Sequence, residues 1–176
     1  MKRFEHALEM FMFNSRWLLV KAQTSALFFV DWLAEKGIID QKQASQSHLR
    51  DLAWAFGHIS QGMYTAENKP KPYSQLAAIQ VGWLMKAGAV QWKADENAAN
   101  GSDKGCFAVD MSKFKPAIVE LEKAVLVIKG KGDKDAAVKL RTELVDEESE
   151  WKKLRETLRE RWLRVPKTSF VYSIEK

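Results

Sequence analysis

Three histidines, His6, His48 and His58, are the residues of this chain that could take part in metal chemistry. A hydrolytic zinc ion usually takes two histidines from one helix face and a third ligand, which leaves one position for water. His48 and His58 fall on one predicted helix, about 15 Å apart along its axis, so they cannot bind one ion together. His6 and Glu9 share a helix face, but no second histidine is near them in the sequence. The spacing therefore predicts no metal site and no cofactor.

The sequence contains neither a complete nucleophile motif nor a complete phosphate-binding loop motif. No serine stands in a Gly-x-Ser-x-Gly elbow. Cys106 is the only cysteine and precedes Phe107 in a predicted strand, so we interpret it as a small buried hydrophobic residue. The segment Gly130–Asp133 places glycines before a helix, but it follows a helix and lacks the spacing of a P-loop. We predict no catalytic residue, and therefore no enzymatic activity of the chain on its own.

Positive charge is spread through the chain rather than gathered in one block. The 28 Lys and Arg residues exceed the 23 Asp and Glu residues, which gives a formal charge of +5. In the last predicted helix, the basic residues from Lys152 to Arg164 alternate with Glu150, Glu156 and Glu160. This alternation favours ion pairs between successive helical turns on a solvated face, so we predict no nucleic-acid binding. A basic helical adaptor that binds an acidic partner is an alternative.

Apolar residues at three- and four-residue spacing predict a mainly α fold of about six helices. The clearest stripe comprises Leu49, Leu52, Phe56, Ile59 and Met63. Residues 89–93 and 106–109 are short strand candidates around a polar segment, which predicts one β-hairpin inserted at about residues 89–109. Residues 165–176 are predicted to form an extended tail. We predict that residues 1–176 form a single helical domain.

Local signals predict where several helices begin. A hydroxyl or carboxylate before a helix can accept a hydrogen bond from an unpaired backbone N–H group. Ser45 or Ser47 is the predicted cap of the second helix, and Asp110 or Ser112 that of the helix after the hairpin. Asp133 is predicted to cap the following helix.

The amino-terminal apolar segments are too interrupted for export or membrane insertion. Glu5 breaks the region in which the apolar part of a signal peptide would begin. Lys21 and Asp31 interrupt Trp17–Leu33, and the uncharged runs stay well below the ~20 residues that a membrane span needs. A lone cysteine suits a reducing compartment. We predict a cytoplasmic protein without a membrane span, with a membrane-surface helix as a minor alternative.

Four segments, taken in order, carry a family resemblance. They are Phe29–Gly37, Ala77–Val90, Phe107–Phe114 and Leu126–Asp133. This series resembles the C-terminal helical region of the dipeptidyl peptidase III-like zinc metallopeptidases and covers most of the chain. The resemblance implies a helical fold and descent from a zinc hydrolase.

The chain departs from that family at the residues that perform its chemistry. The family's His-Glu-x-x-Gly-His helix has no counterpart here, and its second acidic motif falls on Leu18–Gln23, where leucines replace both carboxylates. A family histidine that assists at the substrate carbonyl falls on Tyr73, which makes Tyr73 a candidate substrate-binding residue. A loop tyrosine packed at a helix start is the alternative interpretation.

Together these features lead to the hypothesis of a non-catalytic binding or scaffold module, degenerate, truncated or split from a larger hydrolase. The alternative is one half of a split zinc-dependent peptidase whose metal site comes from a separate zinc-bearing chain. The expected partners are that chain or a second copy of this one, with a peptide-like ligand.

Overall fold

The computed structural model describes residues 2–164, with side chains from Trp17 onward. Within this range the chain forms six α-helices and one antiparallel hairpin, which confirms the predicted mainly α fold. The elements are α1 (Lys2–Glu35), α2 (Gln41–Ile59), α3 (Pro72–Lys86), β1 (Val90–Asn97), β2 (Lys104–Val109), α4 (Met111–Lys131), α5 (Lys134–Arg141) and α6 (Glu150–Arg164). A π-helical turn, Thr142–Asp146, lies between α5 and α6. The predicted extended tail, 165–176, lies outside the described residues.

The helices that follow the hairpin begin and end where local chemistry predicts. The Asp110 carboxylate accepts a hydrogen bond from the Ser112 N–H at 3.0 Å, and that of Asp133 accepts one from the Ala136 N–H at 3.0 Å. Between them, α4 ends at Lys131 and is followed by Gly132, whose φ of 64° lies in the left-handed region that glycine adopts without a steric penalty. Of the two candidates for the cap of α4, Asp110 is the cap, and the predicted Asp133 cap of α5 is confirmed.

The prediction of a serine cap for α2 was wrong. Asp40 caps this helix by accepting from the Gln43 N–H at 2.7 Å, while the Gln43 side chain accepts from the Asp40 N–H at 2.9 Å. This reciprocal pair is a capping box, which satisfies two backbone donors at once and fixes an earlier start. Ser45 and Ser47 therefore lie inside the helix, where the Ser47 hydroxyl donates to the Gln43 carbonyl at 2.9 Å.

Helix α3 is the centre of the fold. Every residue from Ser74 to Gly82 is buried, as expected of a helix with neighbours on all sides. The Trp83 indole N–H donates to the Ala117 carbonyl of α4 at 3.1 Å, and that of Trp151 in α6 donates to the Ala78 carbonyl of α3 at 3.1 Å. These bonds tie α3 to two neighbours through groups that would otherwise be buried without partners.

Helix α1 is the longest element, with 34 residues, and packs mainly against α4. Its described core-facing side chains are Trp17, Val20 and Leu27. None of the helices within residues 2–164 is both long enough and apolar enough to cross a membrane.

The hairpin is inserted between α3 and α4, as predicted, and α6 packs against its tip. Val90 pairs with Val109 in an antiparallel register that becomes irregular after Lys93. The Arg164 guanidinium contacts the Asp103 carboxylate through two hydrogen bonds of 3.1 and 2.9 Å. Arg161 donates to backbone carbonyls of the same tip. Two arginines of α6 therefore fix a turn whose polar sequence is typical of a mobile loop.

Candidate functional site

A histidine–aspartate pair joins α1 and α2. His48 Nε2 lies 3.0 Å from Asp31 Oδ1, and only 2% of the His48 side chain surface is exposed. The imidazole packs against the Phe114 ring of α4, with 4.7 Å between ring centroids. Contacts with α1 and α4 thus fix the orientation of the His48 ring on α2. The carboxylate partner also selects the tautomer of the imidazole, which is a potential proton-transfer group.

A cavity of about 730 Å³ adjoins this pair. It is lined by residues of α1, α2 and α4, among them Asp31, Ser45, His48 and Ser112. A serine hydrolase needs a hydroxyl within hydrogen-bonding reach of the histidine. Here the Ser112 hydroxyl donates to Asp110 instead, at 2.5 Å, and among the described residues no serine hydroxyl bonds to His48. His48 therefore lines the cavity without a paired nucleophile among the described residues.

The second nitrogen of His48 is closed off from the cavity surface and from solvent. His48 Nδ1 is a buried atom with no hydrogen-bond partner among the described residues, and the same holds for Asp31 Oδ2. A general base must reach the proton that it removes, directly or through one water molecule. The pair is therefore arranged to join helices rather than to exchange protons with a substrate.

A second polar group, Asp51, lies one turn further along α2. The side-chain amides of Gln23 in α1 and Gln80 in α3 both donate to its carboxylate. Burial raises the pKa of Asp51, while the hydrogen bonds from both glutamines and the nearby His48 oppose that shift. This carboxylate joins three helices at a point where the interior disfavours its charged form.

Another carboxylate, that of Glu122 in α4, is buried and accepts hydrogen bonds from two hydroxyl groups of α1. The Ser25 hydroxyl lies 2.5 Å from it, and the Thr24 hydroxyl also donates to it. No cluster of three His, Cys, Asp or Glu side chains able to hold a metal ion occurs in the described part of the chain. The buried acidic groups are used in contacts between helices.

The predicted site residue Tyr73 lies at the start of α3, with half of its side chain surface exposed. Its ring contacts Trp54 edge-on at 6.4 Å and lies 5.6 Å from the His58 ring. Trp54 and His58 are four residues apart on α2 and in contact at 4.5 Å. The three residues form a surface group, here called the aromatic cluster. The sequence spacing of Trp54 and His58 is the signal that could have identified it.

Cys106 differs from its predicted role as a buried hydrophobic residue. It is half-buried in β2, with its sulfur 3.7 Å from a carboxylate oxygen of Glu96. Partial desolvation and the negative charge of Glu96 raise the pKa of the Cys106 thiol. The thiol therefore stays protonated near neutral pH, which disfavours a role as nucleophile.

Four of the six basic residues of α6 are engaged within the protein, which leaves Lys153 and Arg159 exposed. Lys152 pairs with Glu148, Arg155 is buried, and Arg161 and Arg164 bind the hairpin tip. A basic helix that captures an acidic macromolecule needs such groups exposed and unpaired. The structure therefore does not support the basic adaptor alternative.

Comparison with known proteins finds a partial sequence similarity to a hydrolase. No family model matches the sequence. The chain is 29% identical over 120 residues to a protein named Nudix hydrolase 3 from Arabidopsis thaliana. The aligned region covers 68% of this chain and 14% of that protein, so the chain corresponds to a small part of its relative. The chain is a mainly α-helical module with distant similarity to a segment of a hydrolase.

The predicted resemblance to dipeptidyl peptidase III-like metallopeptidases was wrong. The similarity found is to a protein named Nudix hydrolase 3, and no finding points to that peptidase family. The metallopeptidase interpretation falls with it. The segments that suggested it consist of features with local structural causes. Gly88 and Gly132 have positive φ angles at helix ends, and Asp110 and Asp133 cap helices. Such signals recur wherever helices begin and end, so they do not identify a family.

Proposed function

We propose that this chain is a non-catalytic helical module of a hydrolase-like protein, which contributes binding or scaffolding rather than bond cleavage. The observation that carries the proposal is the enclosure of His48, whose Nδ1 is buried without a hydrogen-bond partner among the described residues and whose ring packs against Phe114. Asp51 and Glu122 support it further, because their hydrogen bonds join helices. The similarity to one segment of a hydrolase supports a role within a larger activity.

Hydrolysis assays on the purified chain test this proposal. The panel contains peptide, ester and phosphoanhydride substrates, with the divalent metal content of the protein measured in parallel. We expect no turnover for wild type or for His48→Asn, and a lower melting temperature for His48→Asn because it disrupts a buried hydrogen bond. The control is Asp95→Asn, which changes an exposed residue outside both the cavity and the aromatic cluster. Turnover that His48→Asn abolishes and Asp95→Asn leaves intact would overturn the proposal.

We further propose that the aromatic cluster gives this module a weak site for a peptide-like ligand. The exposed Tyr73 ring and the partly buried rings of Trp54 and His58 supply apolar contact area, and the Tyr73 hydroxyl can donate a hydrogen bond to a carbonyl. Titration of the labelled protein with short peptides, followed by NMR, would measure binding. We expect Tyr73→Phe to weaken it about fivefold through loss of one hydrogen bond. Unchanged affinity in both Tyr73→Phe and Tyr73→Ala would refute a role for this residue.

A further inference from the structure

A second cavity, of about 320 Å³, lies between the end of α2, the π-helical turn and α6. The π-helical turn supplies Val145 and Asp146 to its wall. Such turns are rare and frequently mark functional sites, because the wider turn redirects side chains. This cavity is separate from the His48 pair and uses none of its residues.

The cavity wall on α6 carries three cations. Lys152, Arg155 and Arg159 line it, at a spacing that places them along one side of the helix. Lys152 also pairs with Glu148, and both groups reach solvent. Arg155 is only 6% exposed, and its Nη2 donates to the Val145 carbonyl at 2.6 Å.

Arg155 is the informative member of this set. Its Nε is buried without a hydrogen-bond partner, and within the described residues no carboxylate lies within ion-pair distance of its guanidinium. Burial lowers the pKa of Arg155 from its usual value, and the negative charges of Asp146 and Glu156 partly oppose that shift. Its guanidinium also lies over the Trp151 ring, 5.8 Å from the ring centroid. A buried cation without a direct ion pair is costly, so proteins normally pair such groups. The cavity beside Arg155 therefore favours an anion.

The nearby carboxylates are engaged or exposed. Asp146 accepts a hydrogen bond from the Tyr64 hydroxyl and lies 3.3 Å from Arg141 Nε. Glu156 also lines the cavity, but it is exposed to solvent on α6. Neither carboxylate lies within ion-pair distance of Arg155, although the charges of both act on it from further away.

Gly62 allows a second guanidinium to approach the cavity. Its φ is 80°, and a Cβ at this position would lie 3.0 Å from Arg159 Nη1. Arg159 also donates a long hydrogen bond of 3.5 Å to the Ser60 carbonyl. The turn after α2 is thus shaped to accept an arginine of α6 at close range.

We propose that this cavity binds the phosphate group of a small molecule, with Arg155, Arg159 and Lys152 as its cationic ligands. A phosphate dianion supplies the direct ion-pair partner that Arg155 lacks, and guanidinium groups bind its oxygens through charge-assisted hydrogen bonds. The volume is at the lower end of the range for small-molecule sites. This proposal does not depend on the proposed function and survives its failure.

Calorimetric titration at low ionic strength, with inorganic phosphate and with a sugar phosphate, tests the site. We expect saturable binding, and a loss of roughly tenfold or more in affinity for Arg159→Gln, since hydrogen bonds between charged groups are strong. Lys153→Gln is the matched control, because Lys153 is exposed on the same helix and does not line the cavity. Gly62→Ala should also weaken binding by displacing Arg159.

Two supporting outcomes distinguish the source of the phosphate. Equal affinity for both ligands identifies phosphate alone as the recognised group, and tighter binding of the sugar phosphate identifies an organic ester. Absence of saturable binding, or equal losses in Arg159→Gln and Lys153→Gln, would overturn the proposal. Arg159 is exposed, so circular dichroism of Arg159→Gln should show an unchanged fold. Arg155→Met is a second variant, which removes the buried cation of the cavity.

Discussion

At Asp51, burial and hydrogen bonding shift the pKa of one carboxyl group in opposite directions. Burial is the larger effect and raises its pKa above the ordinary value of 3.8. For a carboxyl group this means that the folded state holds its proton more tightly than the unfolded state. As the pH rises from the unfolded pKa through the folded one, the folded state therefore loses stability at this site.

Replacement of Asp51 by Asn should remove this loss of folding stability with rising pH. An asparagine keeps an oxygen that accepts from Gln23, and its amide can donate to Gln80 Oε1, which is a buried atom without a partner. We expect Asp51→Asn to gain stability relative to wild type as pH rises from 4 to 7. Urea unfolding across that range would measure it, with the exposed Asp95→Asn as control. Parallel pH profiles for Asp51→Asn and wild type would contradict the expectation.

Gly105 shows how one missing side chain permits a contact. Its φ is 89°, and a Cβ there would lie 2.1 Å from the Trp92 ring. We expect Gly105→Ala to destabilise the protein by about 3 kcal/mol, from left-handed backbone strain plus steric overlap. Gly101→Ala is the control, because Gly101 has a similar φ of 74° and no atom within 4 Å of its Cβ position.

Thermal unfolding would separate the two causes. Gly101→Ala should lose only the part due to the backbone, about 1 kcal/mol. Equal losses in the two variants would show that the Trp92 contact contributes nothing.

At the scale of elements, the contact between α3 and α6 depends on Gly82. A Cβ at Gly82 would lie 2.9 Å from Trp151 Nε1, and that indole is held by its hydrogen bond to Ala78. The close approach of the two helices therefore requires glycine, although glycine costs about 1 kcal/mol relative to alanine in a helix.

Gly82→Ala should destabilise the protein by about 1–3 kcal/mol, because the steric cost in a packed interior exceeds the gain in helix propensity. Gly130→Ala in α4 is the opposite case, since no atom lies within 4 Å of its Cβ position. We expect it to stabilise by up to about 1 kcal/mol. Melting curves followed by circular dichroism would measure both, and a Gly82→Ala protein as stable as Gly130→Ala would refute the packing argument.

At the scale of the whole molecule, we propose that the chain folds as one domain, and one apolar core supports this. The core cluster contains buried side chains from each of the six helices in the described range, such as Trp17 of α1, Leu84 of α3 and Leu154 of α6. Elements that share one core unfold together, because loss of one exposes the apolar surface of the others.

Differential scanning calorimetry should therefore give one transition with equal calorimetric and van't Hoff enthalpies. The same result should hold at different scan rates. Two separated transitions, or a calorimetric enthalpy well above the van't Hoff value, would show that α1 or the hairpin with α6 unfolds independently.

The sequence by itself determined the helical character of this protein, the position of the hairpin and the aspartates that begin α4 and α5. These features depend on residues within one or two turns of each other, such as Asp133 and Ala136. The same local signals misled the assignment of a family, because caps and glycine turns serve many folds.

Only the tertiary structure decided which polar groups meet. Asp31 joins His48, Asp51 joins Gln80 across 29 positions, and Tyr64 joins Asp146 across 82. In the sequence, Asp31 is recognisable only as an interruption of an apolar segment. The physical reason is that such contacts depend on how helices pack, and the hydrophobic pattern fixes which face is buried but not which neighbour covers it.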